Sequence, residues 1–337
     1  MNSTLDIQRI EDVPVIDLSL FMGQDDSSQM VRNMCKSVAQ SFHEYGILLI
    51  KDPRAQQQQN SDYIDLMEKY FENRGERLYA GEKLEDAKPE YHYQVGVCPK
   101  ELEIAREHTE RIQSYTEENK PVSPLKPVYD AKWRFMWKIG ERPENAGDNF
   151  PQVIPRDFPE WKERMDTWGN KLLDAVKEVA QMAAIGMGLD RRTFLDKMDG
   201  GAHLLAPTGS DLKKNDVGAI FAGFHYDIAF LTIHGKSRYP GLYVWTRSNT
   251  KLQVKVPEGC LLLQAGKTFE NITGGYVLAG FHEVIYTEQT KAAMLKAESE
   301  GRSTWRVSST MFTHFRFDTD CSPMPELSHL YRPEVAS

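Results

Sequence analysis

The amino-acid sequence predicts a mainly β protein, a sandwich or barrel flanked by helices. From Ala202 onward, Gly, Pro or Asn interrupt short apolar or β-branched runs at intervals of about ten residues, a spacing typical of such folds. Before this part, residues 158–189 carry apolar side chains at every third or fourth position. That period predicts one long amphipathic helix that packs against a sheet.

The beginning of the chain predicts two strands that alternate with two helices. The strands are expected at 13–18 and 47–50, and the helices at 27–45 and 56–73. Gly46 follows the first helix directly, as a glycine does when it ends a helix in the left-handed conformation. The run at 47–50 is apolar throughout, which indicates a buried strand.

Residues 76–157 are rich in charge and proline, so they predict loops and short elements that cover another part of the molecule. One segment inside them, 133–138, reads WRFMWK. Its aromatic residues are expected to pack into the core as part of a strand. The same strand could instead form the wall of a pocket, with Arg134 or Lys138 facing an anionic substrate.

The C-terminal half predicts a series of strands and one further helix. The strands are expected at 219–222, 224–234, 242–245, 252–256, 260–264, 276–278, 284–287 and 305–317. The helix is expected at 288–300 as an insertion between the last two of them. No linker separates this half from the N-terminal part.

The composition argues against nucleic acid and membranes as partners. The 337 residues include 40% hydrophobic and 27% charged residues, with a net charge of −8, which fits a globular protein. Nucleic-acid binding needs clustered Lys and Arg, and an acidic chain does not favour it. No apolar run reaches about 18 residues, the length that indicates a membrane-spanning helix.

The cysteines and the N-terminus indicate the compartment. Cys35, Cys98, Cys260 and Cys321 are scattered, with no Cys-x-x-Cys pair. They are expected to be reduced thiols, and a cysteine-based metal site is not expected. The segment Met1–Asp6 has neither the basic nor the apolar stretch of a secretory signal. We therefore expect a cytoplasmic protein.

The motif His225-Tyr226-Asp227 and the later His282 form the candidate metal site. Side chains two positions apart on a strand point to the same face, so a strand at 224–228 would let His225 and Asp227 converge. His282 would come from a strand that lies nearby in space. A lone histidine beside apolar strands is more often a core residue than a ligand. Two imidazoles and one carboxylate together, however, suit a divalent iron with an open face.

Segments spread over nearly the whole chain carry a resemblance to a known family. They are VPVIDL (13–18), FHEYGI (42–47), the helix at 158–189 with its Gly-Leu end, LTI (231–233) after the His-x-Asp motif, PGLYV (240–244), TGG (273–275), HEV (282–284) and RVS (306–308). In order and approximate spacing they resemble the iron(II)/2-oxoglutarate-dependent dioxygenases, specifically the isopenicillin N synthase-like branch. Where that branch has His-Arg-Val, this chain has His282-Glu283-Val284.

The resemblance implies a fold and a ligand set. The fold is a double-stranded β-helix, the jelly-roll or cupin-like core, with helices on one side. Iron(II) would be held by His225, Asp227 and His282. The cosubstrate 2-oxoglutarate would bind the iron, and Arg306 would grip its distal carboxylate, with a hydrogen bond from Ser308. The carboxylate of Asp227 disfavours halogenation, since related halogenases have a small residue there.

Several positions depart from the family pattern. His203 stands near the place of a tyrosine that helps hold 2-oxoglutarate in the family. Either His203 replaces that hydroxyl or no residue does. Arg302 is a rival to Arg306, but the apolar run after Arg306 makes its strand the better one. His234 could be a buried hydrogen-bonding residue or part of the pocket. The helix expected at 288–300 lengthens the connection before Arg306 and could cap the mouth of the barrel.

The resemblance also implies the reaction. Dioxygen and 2-oxoglutarate would serve to oxidise an unactivated C–H bond by hydroxylation, desaturation or ring closure, with succinate and CO2 as co-products. We expect a monomer that acts on a small molecule in natural-product biosynthesis. The substrate is expected to be carboxylated or derived from an amino acid, on the ground of Arg134, Lys138 and Arg316. Residues 1–157 would cover it, and residues 158–337 would form the catalytic core of the same compact unit.

Three other functions stay open at this point. An iron oxidase of the same fold could work without 2-oxoglutarate, and Arg306 and Ser308 would then bind a carboxylate of the substrate. A metal-free protein on this scaffold could bind a small molecule without catalysis. A zinc hydrolase is the third, because two histidines and one carboxylate also suit zinc.

Overall fold

The computed structural model describes residues 13–143 and 150–331. The segment Met1–Asp6, considered above for a secretory signal, lies outside these ranges, as does part of the loop region predicted at 76–157. The helices are α1 Gln29–Tyr45, α2 Gln57–Tyr79, α3 Thr109–Gln113, α4 Trp161–Gly186, α5 Thr193–Met198, α6 Lys267–Ile272 and α7 Glu288–Ser299. The strands are β1 Val15–Asp17, β2 Ile47–Lys51, β3 Gly96–Cys98, β4 Trp133–Lys138, β5 Leu204–Leu205, β6 Thr208–Asp211, β7 Ile220–His225, β8 Leu231–His234, β9 Leu242–Trp245, β10 Lys251–Gln253, β11 Leu261–Ala265, β12 His282–Ile285, β13 Trp305–Ser308 and β14 Met311–Thr313.

The strands form two sheets. The larger sheet has the order β1-β2-β11-β8-β14-β5-β4-β6-β13, with β3 paired to β4, and the smaller sheet has the order β10-β9-β12-β7. Strands β1 and β2 pair in parallel, whereas pairs such as β7 with β12 and β6 with β13 are antiparallel. Residues from both sheets line one central cavity. This arrangement confirms the predicted jelly-roll core with flanking helices.

Helix α4 supports the larger sheet from one side. It contacts β8 and β14 of this sheet and also packs against α1, α2 and α5. The indole Nε1 of Trp137 on β4 also donates a hydrogen bond of 2.8 Å to Asp166 of α4. The long helix predicted at 158–189 is therefore confirmed, with the bounds Trp161–Gly186. No described helix has both the length and the apolar character that crossing a membrane requires.

The N-terminal elements join the same core. The predicted strand at 47–50 is β2, which pairs with β11 of the barrel. Gly46 ends α1 with a φ of 67°, as predicted for a glycine after a helix. The helix predicted at 56–73 continues further, to Tyr79.

Three strand predictions need correction. The run predicted at 224–234 is two strands, because β7 ends at His225 and β8 begins at Leu231. The run at 305–317 is likewise divided into β13 and β14. The first interruption stays mainly apolar, so the hydrophobic pattern could not reveal it. The second falls on the polar pair Ser309-Thr310, which the prediction of one continuous strand passed over. The strand predicted at 276–278 is wrong: Tyr276 N donates to Thr273 O in a turn that follows α6.

Strand β4 resolves the two interpretations of the WRFMWK segment. Trp133, Phe135 and Trp137 are almost fully buried in the main core, so the core interpretation of the aromatic residues is confirmed. Arg134, which alternates with them, points to the other side and lines the central cavity. One strand thus contributes to the core with one face and to the cavity with the other.

The first part of the predicted loop region is anchored by a buried arginine. Arg74 at the end of α2 pairs with Asp86 at 2.7 Å and with Asp157 at 2.6 Å. Tyr70 also donates a hydrogen bond of 2.7 Å to Asp86. Burial opposes the charge of Arg74, but its hydrogen bonds to Asp157 and Asp86 outweigh this effect and raise its pKa. Arg74 can be charged and buried only while both aspartates are paired with it. The pairs therefore hold the loop region against α2 at Asp86 and at Asp157.

We expect Gly186→Ala to destabilise the fold. In a helix this substitution ordinarily stabilises by about 1 kcal/mol. Here an added Cβ would lie 2.1 Å from the carbonyl oxygen of Cys35 and 3.0 Å from the Cβ of Ala39. Relieving this contact must move α1 away from α4, a kind of overpacking that costs roughly 1–3 kcal/mol, so the net effect is destabilising. Urea unfolding measures it, with the exposed α4 substitution Asp174→Ala as control. A variant as stable as the parent protein would contradict the close packing of α1 on α4.

Candidate active site

Three elements bring the candidate metal ligands together. His225 is the last residue of β7, and His282 is the first residue of β12. The two strands are antiparallel neighbours, and His282 pairs directly with His225. Asp227 is not on a strand, contrary to the prediction, but lies in the connection between β7 and β8. The chain turns after His225, and the carboxylate still reaches the histidines.

The ligand atoms of the three residues face one point. Among the described residues, His225, Asp227 and His282 form a group whose ligand atoms all lie within 4.8 Å of one another. Asp227 Oδ1 is 3.6 Å from His225 Nε2 and 3.9 Å from His282 Nε2. These separations leave a position that one ion can share. Two nitrogen donors and one oxygen donor suit a divalent transition metal such as iron(II) or zinc.

Hydrogen bonds orient all three ligands. His225 Nδ1 lies 2.6 Å from Gly223 O, and His282 Nδ1 lies 2.9 Å from Gly280 O. A carbonyl oxygen can only accept, so each Nδ1 carries the proton and each Nε2 has its lone pair free for a metal. The hydroxyl of Thr232 donates to Asp227 Oδ2 at 2.6 Å. That bond leaves Oδ1 as the oxygen that faces the histidines.

The electrostatics of the site favour the protonation states that bind metal. Burial lowers the pKa of His225 to about 3, and the neighbouring His282 contributes in the same direction. Burial opposes ionisation of Asp227, but His282 and His225, together with the Thr232 hydroxyl, outweigh it and hold the pKa below its ordinary value. At neutral pH the His225 imidazole is therefore neutral and Asp227 is a carboxylate, as metal ligation requires.

The ligands open onto a cavity of about 410 Å³ between the sheets. Its two walls differ in character. The larger sheet and the residues next to its strands provide mainly hydroxyl and cationic groups: Lys132, Arg134, Thr208, Ser210, Arg306, Ser308 and Thr310. The smaller sheet provides the two metal-site histidines and mainly apolar groups: Phe221, Ala222, Leu242 and Val284. The cavity thus suits a ligand with one polar and one apolar side.

Arg306 is a buried cation of this cavity without an acidic partner among the described residues. Arg306 is only 6% exposed, and its Nε donates a hydrogen bond of 3.0 Å to Pro240 O. No acidic side chain among residues 13–143 and 150–331 forms an ion pair with it. Burial lowers its pKa to about 10, so it still carries its charge at neutral pH. A buried guanidinium with unused donors requires an acceptor from a ligand or from water.

Ser308 and Arg134 lie in one row across the polar wall. Ser308 on β13 pairs with Thr208 on β6, and Thr208 pairs with Arg134 on β4. The Ser308 hydroxyl is 3.1 Å from that of Thr310. Arg134 is 3.3 Å from Glu103, and its buried Nε has no hydrogen-bond partner. The row therefore presents hydroxyl groups flanked by a cation with unused donor capacity.

The register of the smaller sheet separates Arg306 from the metal ligands. Ile285 on β12 bonds to Gly241, and a Cβ on Gly241 would lie 3.6 Å from Arg306 Nε. His282 precedes Ile285 by three residues on the same strand, so the two ends of the cavity are about 10 Å apart at 3.3 Å per residue. Gln289 and Ala293 of α7 also line the cavity. The helical insertion therefore borders the cavity beyond the strands.

The structure does not bring His203 to this cavity. His203 is buried, but its Nδ1 accepts a hydrogen bond from His314 N at 3.2 Å, and its carbonyl oxygen accepts one from Arg142. It is absent from the residues that line the cavity, while Thr208 and Ser210 of the next strand are present. Burial lowers the pKa of His203 to about 3. Arg302, the rival to Arg306, instead pairs with Glu300 at the surface, outside the cavity lining.

Some polar residues of the cavity were not predicted from the sequence. Ser210 is buried on β6 and faces the cavity without a hydrogen-bond partner among the described side chains. Thr232 stands five positions after Asp227 in the quoted LTI segment, and its polarity inside an apolar strand was the available signal. His234, for which two roles stayed open, has both of them. It lines the pocket, its Nδ1 lies 3.1 Å from Gly235 O, and burial lowers its pKa to about 4.

Comparisons with known proteins give a match in structure only. No family model matches the chain, and no curated protein sequence matches it. Among solved structures, a protein of Caulobacter crescentus described as of the 2OG-Fe(II) oxygenase family has 20% identity and a TM-score of 0.68, over 96% of this chain and 92% of the other. A full-length protein of Neurospora crassa, solved in complex with alpha-KG, has 18% identity and a TM-score of 0.70, over 95% and 91%.

A third neighbour extends the same likeness. JOX2, solved in complex with 2OG, Fe and JA, has 15% identity and a TM-score of 0.62, over 95% of this chain and 80% of the other. All three likenesses cover the strands, the helices and the connections between them nearly completely. The chain therefore has the fold of the 2-oxoglutarate and iron(II) oxygenases.

Proposed function

We propose that this protein is an iron(II)/2-oxoglutarate-dependent dioxygenase. It oxidises an unactivated C–H bond of a small metabolite by hydroxylation, desaturation or ring closure, with succinate and CO2 as co-products. The proposal rests on one observation. A single cavity has three side chains suited to binding iron at one end, and at the other end it has the buried Arg306, which has no acidic partner among the described residues. A dicarboxylate that binds a metal with its first end requires a cation for its second.

The triad fits iron(II). His225, Asp227 and His282 would hold it on one face and leave the opposite face to other ligands. When bound, the iron and 2-oxoglutarate together supply the activation of dioxygen for C–H oxidation. The residues of the chain orient these partners. The Gly223 and Gly280 carbonyl oxygens fix the imidazole rings, and Thr232 fixes the carboxylate.

The far end of the cavity fits the cosubstrate. Its distance of about 10 Å from the ligands, set by the strand register, suits a five-carbon diacid between a metal and a guanidinium. Arg306 can offer two parallel N–H donors to the distal carboxylate, because its Nε alone is used by Pro240. Ser308, on the same strand and in the same cavity, adds a hydroxyl donor. His203 is dropped from this proposal, since it does not line the cavity.

Two structural neighbours support the cofactors. The Neurospora crassa structure contains alpha-KG, and the JOX2 structure contains both 2OG and Fe. Both share the fold of this chain over at least 95% of its length. We therefore propose iron(II), 2-oxoglutarate and dioxygen as cofactor and cosubstrates.

For the substrate, we propose a small carboxylated or amino-acid-derived metabolite of natural-product biosynthesis. Of the three cations on which this expectation was based, only Arg134 lines the cavity. Lys138 donates to Phe150 O, and Arg316 pairs with Asp318 at the surface. Arg134 stands over the ring of Phe312 and keeps a buried, unpartnered Nε. Its guanidinium can pair with a substrate carboxylate in addition to its contact with Glu103.

An iron oxidase that works without 2-oxoglutarate is the second candidate, because Arg306 could bind a carboxylate of the substrate itself. Aerobic assays of succinate formation from 2-oxoglutarate by the iron-loaded protein separate the two. A protein that binds no iron would indicate the metal-free binding protein, and one that is active with zinc alone would indicate the hydrolase.

The compartment and the oligomeric state are also proposed. The four cysteines are free thiols, and Cys35, Cys98 and Cys260 are buried. Unpaired cysteines are typical of proteins that stay in a reducing compartment, which supports a cytoplasmic location. The monomeric state stays a prediction, and light scattering of the purified protein measures it.

We expect Asp227→Ala to reduce iron-dependent succinate formation to background. The substitution removes the only carboxylate of the triad, and the two imidazoles that remain hold iron(II) more weakly. Iron content after anaerobic loading and succinate release are measured together. The surface variant Asp318→Ala serves as control and should match the parent protein. Full activity of Asp227→Ala would show that the metal site is assigned wrongly.

We expect Arg306→Ala to raise the apparent KM for 2-oxoglutarate. A charge-assisted hydrogen bond contributes about 1.5–3 kcal/mol, which corresponds to roughly 10- to 150-fold in KM. Iron affinity should change little, because Arg306 lies at the other end of the cavity. Arg302→Ala, which removes a cation from the same segment outside the cavity, is the matched control. If both variants keep the parental KM, the cosubstrate is not held by Arg306.

A further inference from the structure

Strand β7, which carries His225, is an edge strand of the smaller sheet. Among the strands of residues 13–143 and 150–331, it pairs with β12 alone. On its open side, side chains from the preceding loop region accept hydrogen bonds from its N–H groups. Gly223 N donates to Asp130 Oδ1 at 2.8 Å, and Phe224 N donates to Ser123 Oγ at 2.8 Å. An edge strand otherwise leaves such groups without a partner, so these two side chains replace a neighbouring strand.

The bond to Ser123 continues a chain of hydrogen bonds that begins at the metal site. His225 Nδ1–H donates to Gly223 O at 2.6 Å. That oxygen belongs to the peptide group whose nitrogen is Phe224 N, which donates to Ser123 Oγ. The Ser123 hydroxyl in turn donates to Glu283 Oε2 at 2.8 Å. Each donor along this path points away from His225 and towards the carboxylate.

The carboxylate at the end of the path is fully buried. Glu283 has no exposed surface, and it accepts hydrogen bonds from Val122 N and Ser123 N at 3.0 Å each. Lys251 Nζ lies 2.8 Å from its Oε1 and balances the charge. A buried carboxylate accepts and does not donate, so the direction of the Ser123 hydroxyl is determined.

We propose that Ser123 and Glu283 are positioning residues of the iron site, which act on His225 through the Gly223–Phe224 peptide group. This inference rests on the proposed iron site. The relay polarises the peptide, so that Gly223 O becomes a stronger acceptor for the Nδ1 proton. A stronger bond at Nδ1 makes Nε2 a better donor to the metal and holds the ring in place.

The position of Glu283 in the sequence adds a second link. Glu283 follows His282 directly on β12, and His282 is the partner of His225 across the sheet. The loop segment with Val122 and Ser123 is thereby attached to both strands that carry metal-site histidines. One buried carboxylate thus connects the two imidazole ligands from behind the sheet, on the side away from the cavity.

Ser123→Ala tests the relay at a single atom. The variant keeps Glu283 and the loop but removes the hydroxyl between peptide and carboxylate. Cobalt(II) serves as a spectroscopic substitute for iron(II). We expect its Kd to rise about tenfold, at the lower end of the losses seen when residues that hydrogen-bond to metal ligands are substituted. The visible absorption bands of bound cobalt(II) should shift, because the donor strength of His225 changes. Anaerobic iron(II) titration should give the same ranking.

The matched control is Ser41→Ala. Ser41 is also buried, and its hydroxyl donates to Ile47 O at 2.8 Å, so it takes no part in the hydrogen bonds of the metal ligands or of the relay. This variant should lose some stability but bind cobalt(II) with parental affinity and an unchanged spectrum. Urea unfolding of all metal-free variants separates a loss of folding from a loss of affinity.

Glu283→Gln and the double variant Ser123→Ala/Glu283→Gln complete a double-mutant cycle. If the relay acts as a unit, the affinity loss of Ser123→Ala with Glu283→Gln should be clearly smaller than the product of the two single losses. Parental affinity and spectrum of Ser123→Ala, with a parent protein that binds cobalt(II) through the triad, would overturn the relay alone. A parent protein whose cobalt(II) affinity is unaffected by His225→Ala would instead overturn the proposed iron site.

Discussion

The antiparallel pairing of β7 with β12 is the constraint on which the site depends. It sets His225 opposite His282 and gives both rings a backbone carbonyl oxygen for Nδ1. Each ring therefore has one nitrogen bound to the carbonyl oxygen two residues before it and one nitrogen free for a metal. Asp227 completes the set from the connection that leaves β7. A shift of one residue in this register would turn one imidazole to the opposite face of the sheet.

The same pairing determines the length of the cavity. The strand β12 runs from the metal end at His282 to the region of Gly241 and Arg306. The larger sheet lies opposite and supplies the hydroxyl groups and cations of the other wall. Helix α4 packs against the other face of that sheet and fills the space that would otherwise be open to water. The polar wall of the cavity is thus supported from behind by a packed helix.

Much of the fold and the triad could be predicted from the sequence, because both depend on local patterns. Apolar periodicity indicated the long helix and most strands, and Gly46 marked the end of α1 correctly. The strand break after His225 could not be predicted, because the apolar composition continues across it. The break after Ser308 falls on the polar pair Ser309-Thr310, a local signal that the prediction did not use. His203 was assigned to the cosubstrate by its place in the sequence. In the fold it bonds to the backbone of His314, outside the cavity lining, and pocket-facing hydroxyls of the next strand lie where it was expected to act.

The sequence by itself determined the chemical types of the site: two histidines, one aspartate and an arginine followed by a serine two positions later. Metal ligation and carboxylate binding use side chains of these types. Only the tertiary structure decided that Arg306 has no acidic partner among the described residues and that Arg302 has one. It also decided that Ser123 stands between the strand of His225 and Glu283, 160 residues further along the chain. Ion pairing, burial and such relays depend on which distant segments meet, and no local pattern records this.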